Sequence, residues 1–351
     1  MAGQALRYMN SRVSIIILNW NRWKDTLECL ESLYQIDYPN YDVIVLDNGS
    51  KDNSIQKIKD YLSGSVSVGS KFFSYRSENK PISLLELSKE EAEAATVEDE
   101  TMASLPSDRR LILIKNDRNY GFAEGNNIGT RYALSALNPD YILFLNNDTA
   151  VDEAFLRELV RVAEGDRSIG FVGPKVFYYD FHGRIDVINV AGINLLMNKG
   201  YYHRIGAGEM DLGQHDEVRV VDFIEGSCLL ADCQALRNVG LFNPRYFAYW
   251  EETDLCVRGA EAGYKSAYVP KSRIWHKISS SAPSTMKLYY TTRNRLWFMR
   301  QHADIRELIS FSAYFFTCYI FGTSRRFILE GDVEGLKSFL KGVVDGVSHR
   351  V

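Results

Sequence analysis

Short, uninterrupted runs of hydrophobic residues recur in the first half of the chain. They cover residues 13–18, 43–46, 111–114 and 141–145, and polar residues bound them. Runs of this length without alternation are typical of strands that are buried on both faces of a sheet. The pattern therefore predicts the central strands of one sheet.

Helical spacing is found between these runs. Leu27, Leu30 and Leu33 lie one helical turn apart, and residues 126–137 have a helix-like pattern after a glycine-rich loop. Strands that alternate with helices predict an α/β fold, with a mixed, mainly parallel sheet flanked by helices. Ligands of such sheets bind at the carboxyl ends of the strands. The residues at those ends are Asn19, Asp47, residues 116–121 and residues 146–148.

Residues 63–110 interrupt this alternation. The segment begins with serine and glycine, and from residue 78 to residue 110 it carries nine acidic against four basic side chains. We expect it to be a solvated acidic insertion. A short helix is predicted at residues 88–95, because Ser88 and Glu91 have the spacing of a capping box.

The last third of the chain is basic and aromatic. Residues 262–303 contain no aspartate or glutamate but eight lysines and arginines. This asymmetry predicts an anionic partner. Residues 308–322 are apolar and aromatic, yet the stretch is shorter than the roughly 20 residues of a membrane-spanning helix. They predict either a core helix or a helix at a membrane interface.

The overall composition is that of a globular protein. Lysine and arginine number 41 and aspartate and glutamate 45 among 351 residues, and the net charge of −4 disfavours a nucleic-acid partner. Five widely spaced cysteines indicate neither a zinc site nor a disulfide framework and favour the cytosol. The first hydrophobic run is too short for a signal peptide or a span.

Two polar clusters at strand ends suit a nucleotide. Residues 47–50 (DNGS) fit an ordinary strand-to-helix turn as well as a ligand site. In the second cluster, Gly121, Ala123 and Gly125 allow a ligand close to the backbone, and the helix that follows favours a phosphate. The spacing is not GxGxxG, so a nicotinamide-dinucleotide fold is not supported.

Two further clusters carry carboxylates. Asp148 follows two asparagines at the end of a predicted strand, which suits a divalent cation, although a helix cap would use the same residues. Glu251, Glu252 and Asp254 follow Trp250 at the start of a predicted helix. The helix dipole alone favours acidic residues there, but three carboxylates beside a tryptophan also suit a general base with a platform for a sugar ring.

Together, these motifs resemble the family 2 glycosyltransferases of the GT-A fold, in particular their rhamnosyltransferase-like and galactofuranosyltransferase-like branch. The resemblance rests on the order of seven segments: VSIIILNWN, VIVLDNGSKDNS, NYGFAEGNN, YILFLNNDT, EGSCLLAD, FNPRYFAYWEETDLCVR and YYTTRNR. It implies a GT-A domain over residues 1–300, with the acidic insertion at 63–110. Residues 301–351 would form a helical, membrane-associating segment.

The resemblance also implies site residues for the donor and the metal. Asp47 would contact the nucleotide base, and residues 119–127 would line the ribose and the phosphates. Asp148 and His276 would bind Mn²⁺ or Mg²⁺, although Asn146 stands where the family's DXD motif has its first aspartate. The residues assigned to the nucleotide sugar are Asn19, Asp47, Asn48, Asn119, Gly121, Asn127, Asn146 and Asn147.

For catalysis, the resemblance implies that Glu252 is the base of an inverting sugar transfer. Trp250, Glu251, Asp254 and Arg293 are assigned to the acceptor, a saccharide or a polyprenyl-diphosphate-linked sugar. The expected role is cell-surface polysaccharide biosynthesis, at the inner face of the cell membrane. A catalytically silent nucleotide-sugar-binding scaffold and a sugar-phosphate nucleotidyltransferase are the alternatives, and Glu252→Gln would separate the scaffold from the enzyme.

Overall fold

The computed structural model describes residues 11–94, 104–278 and 283–348. The strands are β1 (Val13–Asn19), β2 (Tyr41–Asp47), β3 (Ser83–Ser88), β4 (Arg110–Lys115), β5 (Tyr141–Asn146), β6 (Thr149–Val151), β7 (Ile169–Tyr178), β8 (Ile188–Val190), β9 (Ile193–Leu196), β10 (Tyr201–Arg204), β11 (Arg219–Val221), β12 (Cys228–Asp232) and β13 (Lys265–His276).

Helices cover both faces of the sheet and form the C-terminal part. They are α1 (Trp23–Leu33), α2 (Ser54–Leu62), α3 (Lys89–Ala94), α4 (Gly121–Tyr132), α5 (Phe155–Gly165), α6 (Cys233–Val239), α7 (Glu251–Glu261), α8 (Ser284–His302), α9 (Ile305–Tyr314), α10 (Ile320–Glu330) and α11 (Val333–Ser348). A π-helical turn, Phe315–Tyr319, joins α9 to α10.

One mixed sheet of eleven strands carries the fold. Its main path runs β11-β13-β7-β12-β5-β1-β2-β4-β3, with β6 on β13 and β8 on β7. The neighbours β5, β1, β2, β4 and β3 are all parallel, whereas β12 is antiparallel to β5 and β7. The prediction of a mixed, mainly parallel α/β sheet is thus confirmed.

The register of the central strands brings the polar strand ends together. Asn19 lies opposite Asp47 across the β1–β2 pair, and Leu18 lies opposite Asn146 across the β1–β5 pair. Every residue of β2 is buried, because helices cover the sheet on both faces. Asn19, Asp47 and Asn146 therefore lie together at the carboxyl edge of the sheet, where ligands of such sheets bind.

The acidic segment at 63–110 differs from the solvated insertion that we expected. Its residues 83–88 form β3, which extends the sheet beside β4. The predicted capping box is present: Ser88 donates its N–H to Glu91 at 2.7 Å, and Glu91 donates its N–H to the Ser88 hydroxyl at 3.2 Å. Leu87 and Ala92 are buried, so this part belongs to the core. The acidic stretch at 95–103 lies outside the described residues.

A second hydrophobic cluster joins the C-terminal helices to the rest of the chain. It combines residues of α8, α9 and the π-helical turn with the segment before α7, namely Tyr246, Trp250, Leu296, Phe298, Met299, Phe311 and Phe315. Helix α11 packs along α8 through Gly342 and Gly346. The segment 308–322 is divided between the two predicted environments, because Phe311 and Phe315 are buried whereas Ile309, Phe316 and Phe321 are exposed.

In the described ranges, we find no helix whose length and apolar character would let it cross a bilayer.

Candidate active site

A cleft of about 330 Å³ lies at the carboxyl edge of the central strands. It brings together ten of the residues predicted for the site: Asn48, Asn119, Gly121, Asn146, Asn147, Asp148, Trp250, Glu251, Glu252 and His276. Five predicted residues do not line it: Asn19, Asp47, Asn127, Asp254 and Arg293. The sequence motifs thus lie around one cavity, and the five remaining residues contact other groups of the protein.

Behind the cleft, a chain of hydrogen bonds ties three strand ends together. Asn147 donates its side-chain amide to the Thr26 hydroxyl at 2.9 Å, and Thr26 donates to Asn19 at 2.8 Å. Asn19 in turn donates to Asp47 at 2.8 Å, and the other Asp47 oxygen accepts the N–H of Ser50 at 3.0 Å. Asp47 is buried, and its two hydrogen bonds fix the positions of Asn19 and Ser50 at the floor of the cleft.

The β4–α4 loop is held against the end of β2 by Asn48. Its side-chain amide donates to the Asn119 side chain at 2.9 Å and to the Gly121 carbonyl at 3.1 Å, while its oxygen accepts the N–H of Tyr120 at 3.1 Å. Gly121 has a φ of +83°, and a Cβ there would lie 2.5 Å from the Phe247 carbonyl oxygen. Glycine is therefore required for this close approach.

The N-terminus of α4 is already occupied by a carbonyl. Phe122 and Ala123 donate their N–H groups to the Phe247 oxygen at 2.6 and 3.1 Å. Asn127 lies further along the helix and exchanges hydrogen bonds with the backbone of Phe242 at 2.8 and 3.1 Å. The amides that we expected to attract phosphate thus join α4 to the loop before α7.

Asp148 and His276 meet because β6 and β13 pair antiparallel, with Thr149 opposite His276. The Asp148 Oδ1 lies 3.1 Å from His276 Nε2, and both side chains face the cleft. Burial alone would lower the pKa of His276, but the carboxylates of Asp148 and Glu225 together raise it.

A carboxylate beside an imidazole in a polar cleft is a donor pair that suits Mn²⁺ or Mg²⁺ when substrate oxygens complete the shell. His276 Nδ1 is buried and has no hydrogen-bond partner among the described residues. No cluster of three or more His, Cys, Asp or Glu side chains that could hold a metal occurs in the part of the chain described here. The protein would thus supply two side chains and leave most positions to the ligand.

Glu251 and Glu252 begin α7 and have different environments. Glu252 is half-buried, and burial and the nearby Glu225 carboxylate raise its pKa from 4.5 to about 7, although Arg204 opposes the shift. Glu251 is buried, and burial and then the Glu252 charge raise its pKa well above 4.5. Both carboxyl groups line the cleft, and Glu252, the more exposed of the two, is the one with a pKa near neutral pH.

The turn before α7 has an unusual backbone conformation. Phe247, Tyr249 and Trp250 all have positive φ, at 64°, 71° and 76°. Residues other than glycine rarely adopt this region, and such outliers cluster at functional sites. This turn fixes where α7 begins and thus where the two glutamates lie.

Side chains of α8 hold this turn from behind. The Asn294 amide donates to the carbonyls of Tyr246, Ala248 and Tyr249 at 2.9, 2.8 and 2.8 Å. Arg293 donates to the carbonyls of Arg245 and Tyr246, both at 2.9 Å. Its guanidinium group is largely buried against backbone oxygens.

Asp254 does not reach the cleft but joins two helices through ion pairs. It is fully buried, pairs with Arg258 at 2.9 Å and contacts His302 Nε2 at 2.9 Å. His302 is at the end of α8, so this group joins α7 to the C-terminal part.

One wall of the cleft was not predicted from the sequence. Asn189, Tyr202, Arg204 and Glu225 come from β8, the β9–β10 hairpin and the loop before β12. Arg204 forms an ion pair with Glu225. Glu225 begins the segment EGSCLLAD that contributed to the resemblance, but the hairpin residues have no motif that could have identified them.

Comparison with known families places most of the chain in one family. Residues 82–299 match the model of "Glycosyltransferase like family 2", and residues 14–80 match that of "Glycosyl transferase family 2". The two matches cover nearly the whole sheet and the cleft.

Curated relatives are similar over parts of the chain. It is 26% identical over 149 residues to the low-salt glycan biosynthesis hexosyltransferase Agl10 of Haloferax volcanii, covering 41% of this chain and 45% of the relative. It is 45% identical over 63 residues to the N-acetylglucosaminyl-diphospho-decaprenol L-rhamnosyltransferase of Mycobacterium tuberculosis, covering 18% of this chain and 20% of the relative. The chain thus spans less than half the length of these two relatives.

A longer match is to the dTDP-rhamnosyl transferase RfbF of Shigella flexneri, at 22% identity over 253 residues, covering 68% of this chain and 79% of the relative. Among solved structures, a mannosyltransferase of Pyrobaculum calidifontis in complex with GDP-Man and Mn²⁺ superposes with a TM-score of 0.55 at 13% identity, covering 99% of this chain and 82% of that one. That likeness concerns the fold. The chain belongs to glycosyltransferase family 2 and has the GT-A fold.

Proposed function

We propose that the chain is an inverting glycosyltransferase that transfers a sugar from a nucleotide-diphosphate donor, dTDP-rhamnose or a UDP-sugar, to a saccharide acceptor. One observation carries the proposal: the half-buried carboxyl group of Glu252 and the Asp148–His276 pair line the same cleft. A base and a site for a diphosphate-bound cation are the two parts that this reaction requires.

In this reaction, Glu252 accepts the proton of an acceptor hydroxyl group. The hydroxyl oxygen forms a bond to the anomeric carbon while the bond from that carbon to the diphosphate oxygen breaks. Attack from the face opposite the leaving group inverts the configuration at this carbon. The nucleoside diphosphate leaves with the bonding electron pair.

Asp148 and His276 would hold Mn²⁺ or Mg²⁺ beside the diphosphate. When bound, this cation would neutralise the charge that develops on the leaving diphosphate. Asn146 offers an amide where the DXD motif implied by the resemblance has its first aspartate, so this chain would supply one fewer negative charge to the cation. The oxygens of the donor then have a larger share in binding it.

The donor is assigned to the side of the cleft formed by the central strand ends. Asn48, Asn119, Gly121, Asn146 and Asn147 line this side and would contact the nucleotide sugar. Asn19, Asp47 and Asn127 are buried behind it and would position these residues. The names of the rhamnosyltransferases among the relatives favour a rhamnose donor.

A panel of dTDP- and UDP-sugars tests the proposal. We expect Mn²⁺-dependent thermal stabilisation by one of these sugars, and release of nucleoside diphosphate when an acceptor is present. Stabilisation by none of them would contradict the proposal. Stabilisation without turnover with any acceptor would instead indicate a nucleotide-sugar-binding scaffold.

The proposal includes a lipid-linked acceptor at an anionic membrane surface. One relative is named for a diphospho-decaprenol substrate. Residues 262–303 are basic, and α9 to α11 expose Ile309, Phe321, Ile328 and Val344. Apolar side chains together with basic residues favour binding to anionic lipid headgroups.

Vesicle flotation tests the membrane part separately. We expect the protein to float with phosphatidylglycerol vesicles at low salt and to be released at high salt. The variant Phe321→Ser with Ile328→Ser should float less, whereas exposed Ser310→Ala should not change flotation. Failure to float with any anionic vesicle would contradict this part of the proposal.

A further inference from the structure

We propose that Asn189, Tyr202, Arg204 and Glu225 form a subsite for a neutral, hydroxyl-rich sugar ring, the terminal residue of the acceptor. We refer to these four residues as the hairpin wall. The inference rests on the proposed function and adds the class of acceptor group that lies beside Glu252.

The hairpin wall has buried hydrogen-bond donors that the protein does not use. The Nδ2 of Asn189 and the Nε of Arg204 are both buried and have no hydrogen-bond partner among the described residues. A buried donor without a hydrogen-bond partner lowers the stability of the folded state. Oxygens of a ligand in the cleft would complete these two donors.

The charge of the wall favours a neutral ligand. Arg204 forms an ion pair with Glu225, and its Nη1 lies 3.5 Å from the Asn189 side-chain oxygen. Glu225 also accepts the hydroxyl of Ser227 at 3.1 Å. The guanidinium charge is therefore compensated within the wall, so a phosphate would gain little from binding there. Sugar hydroxyls, which both donate and accept, can bond to the amide, the guanidinium group and the carboxylate.

An aromatic surface lies beside these polar groups. The Tyr202 and Trp250 rings meet edge to face, with their centroids 6.0 Å apart, and both side chains line the cleft. The Arg204 guanidinium carbon lies 5.8 Å from the centre of the Tyr202 ring. Aromatic rings next to hydrogen-bonding groups match the two kinds of surface that a sugar ring presents, its C–H face and its hydroxyl edge.

The wall is adjacent to the base. Gly226 follows Glu225, and a Cβ at Gly226 would lie 3.7 Å from the Glu252 carboxyl carbon. The charges of Glu225 and Arg204 both act on Glu252. A sugar ring bound by the wall would thus present a hydroxyl group to the carboxyl group that removes its proton.

Saturation-transfer NMR with neutral octyl glycosides tests this subsite. A panel of octyl hexosides would be measured with the wild type, Asn189→Ala and Arg204→Gln, with and without Mn²⁺ and dTDP. We expect at least a tenfold weaker binding of the preferred glycoside to each variant. The control is Arg184→Gln, because Arg184 forms an exposed ion pair with Asp186 and lies outside the cleft; it should bind as the wild type does.

Competition with inorganic pyrophosphate separates the neutral class from an anionic one. Unchanged glycoside binding in both variants, or a selective loss of pyrophosphate binding in Arg204→Gln, would overturn the inference. Should Arg204→Gln fail to fold, Asn189→Ala decides the outcome, because it removes a donor without breaking the ion pair.

This result can be distinguished from a failure of the proposed function. Glycoside binding that is lost in the variants would support the subsite even if no nucleotide sugar stabilised the protein. Conversely, a wild-type protein that binds a nucleotide sugar but no glycoside would overturn the proposed subsite and leave the proposed function standing.

Discussion

The side-chain amide of Asn294 donates a hydrogen bond to the carbonyl oxygen of Tyr249 at 2.8 Å, across the interface between α8 and the turn before α7. The same amide donates to two neighbouring carbonyls. Backbone outliers such as Phe247 and Tyr249 cost on the order of 1–3 kcal/mol each, so their conformation persists only where surrounding contacts impose it. Asn294 supplies such contacts.

We expect Asn294→Asp to lower kcat even at temperatures at which the variant remains folded. The substitution keeps the size of the side chain but places carboxylate oxygens against three carbonyl oxygens, so the turn and Glu252 shift. A displacement of about 1 Å costs roughly 100-fold in rate. Steady-state kinetics and thermal unfolding would measure both effects. The control is the exposed Asn194→Asp, and an unchanged kcat in Asn294→Asp would rule out this positioning role.

Replacing the proposed base by its amide should slow transfer strongly without abolishing donor binding. A general base contributes about 10²- to 10⁴-fold to the rate, so Glu252→Gln should lower kcat by that range. Titration with the nucleotide donor should give a Kd within about threefold of that of the wild type. The exposed Glu153→Gln serves as the control. Retention of full activity by Glu252→Gln would assign the proton transfer to another group.

The pH dependence of kcat/KM should have an acidic limb near pH 7. Glu252 accepts a proton only when it is ionised, and burial together with Glu225 raises its pKa to about 7. Activity should therefore rise as the pH increases through this value. Glu225→Gln removes a negative charge while Arg204 remains, so the limb should move to lower pH. A limb that moves upward in this variant would contradict the electrostatic assignment.

The assignment of the metal ligands predicts a change in Mn²⁺ affinity. Asp148→Asn and His276→Ala should each raise the Mn²⁺ concentration needed for half-maximal activity at least tenfold, because each removes one of the two protein ligands. EDTA should inactivate the wild type, and added Mn²⁺ should restore it. Asp37→Asn, on the exposed surface, should respond to Mn²⁺ as the wild type does. Equal Mn²⁺ requirements in all variants would refute the assignment.

The packing of α11 on α8 predicts that a distant glycine affects stability. A Cβ at Gly342 would lie 2.8 Å from the Tyr289 carbonyl oxygen of α8. Overpacking of this kind costs roughly 1–3 kcal/mol, so Gly342→Val should lower the denaturation midpoint. Gly322→Val is the matched control, because no atom beyond its own helix backbone lies within 4 Å of a Cβ added there. Equal denaturation midpoints for the two variants would show that the α8–α11 interface accommodates the larger side chain without loss of stability.

The sequence predicted the central strands, because strands buried on both faces appear as uninterrupted hydrophobic runs. It also predicted the cleft residues that follow these strands, because the register of parallel strands places their polar ends side by side. It did not predict the direction of long side chains. Arg293 lies in a basic stretch without acidic residues, and the sequence therefore predicts that it binds an anion. Its guanidinium group instead donates to the carbonyls of Arg245 and Tyr246. Tyr202 and Arg204 were missed because a four-residue strand in a hairpin has no distinctive pattern and reaches the cleft only through tertiary packing.

The Phe247 carbonyl accepts two N–H groups at the start of α4, while Asn294 on α8 holds the carbonyls on both sides of Phe247. One short turn is thereby attached on two sides, to α4 at the cleft and to α8, which continues into the C-terminal part. A shift of α4 would therefore be passed through this turn to the start of α7. The position of Glu252 thus depends on contacts from two helices that lie far apart in the chain.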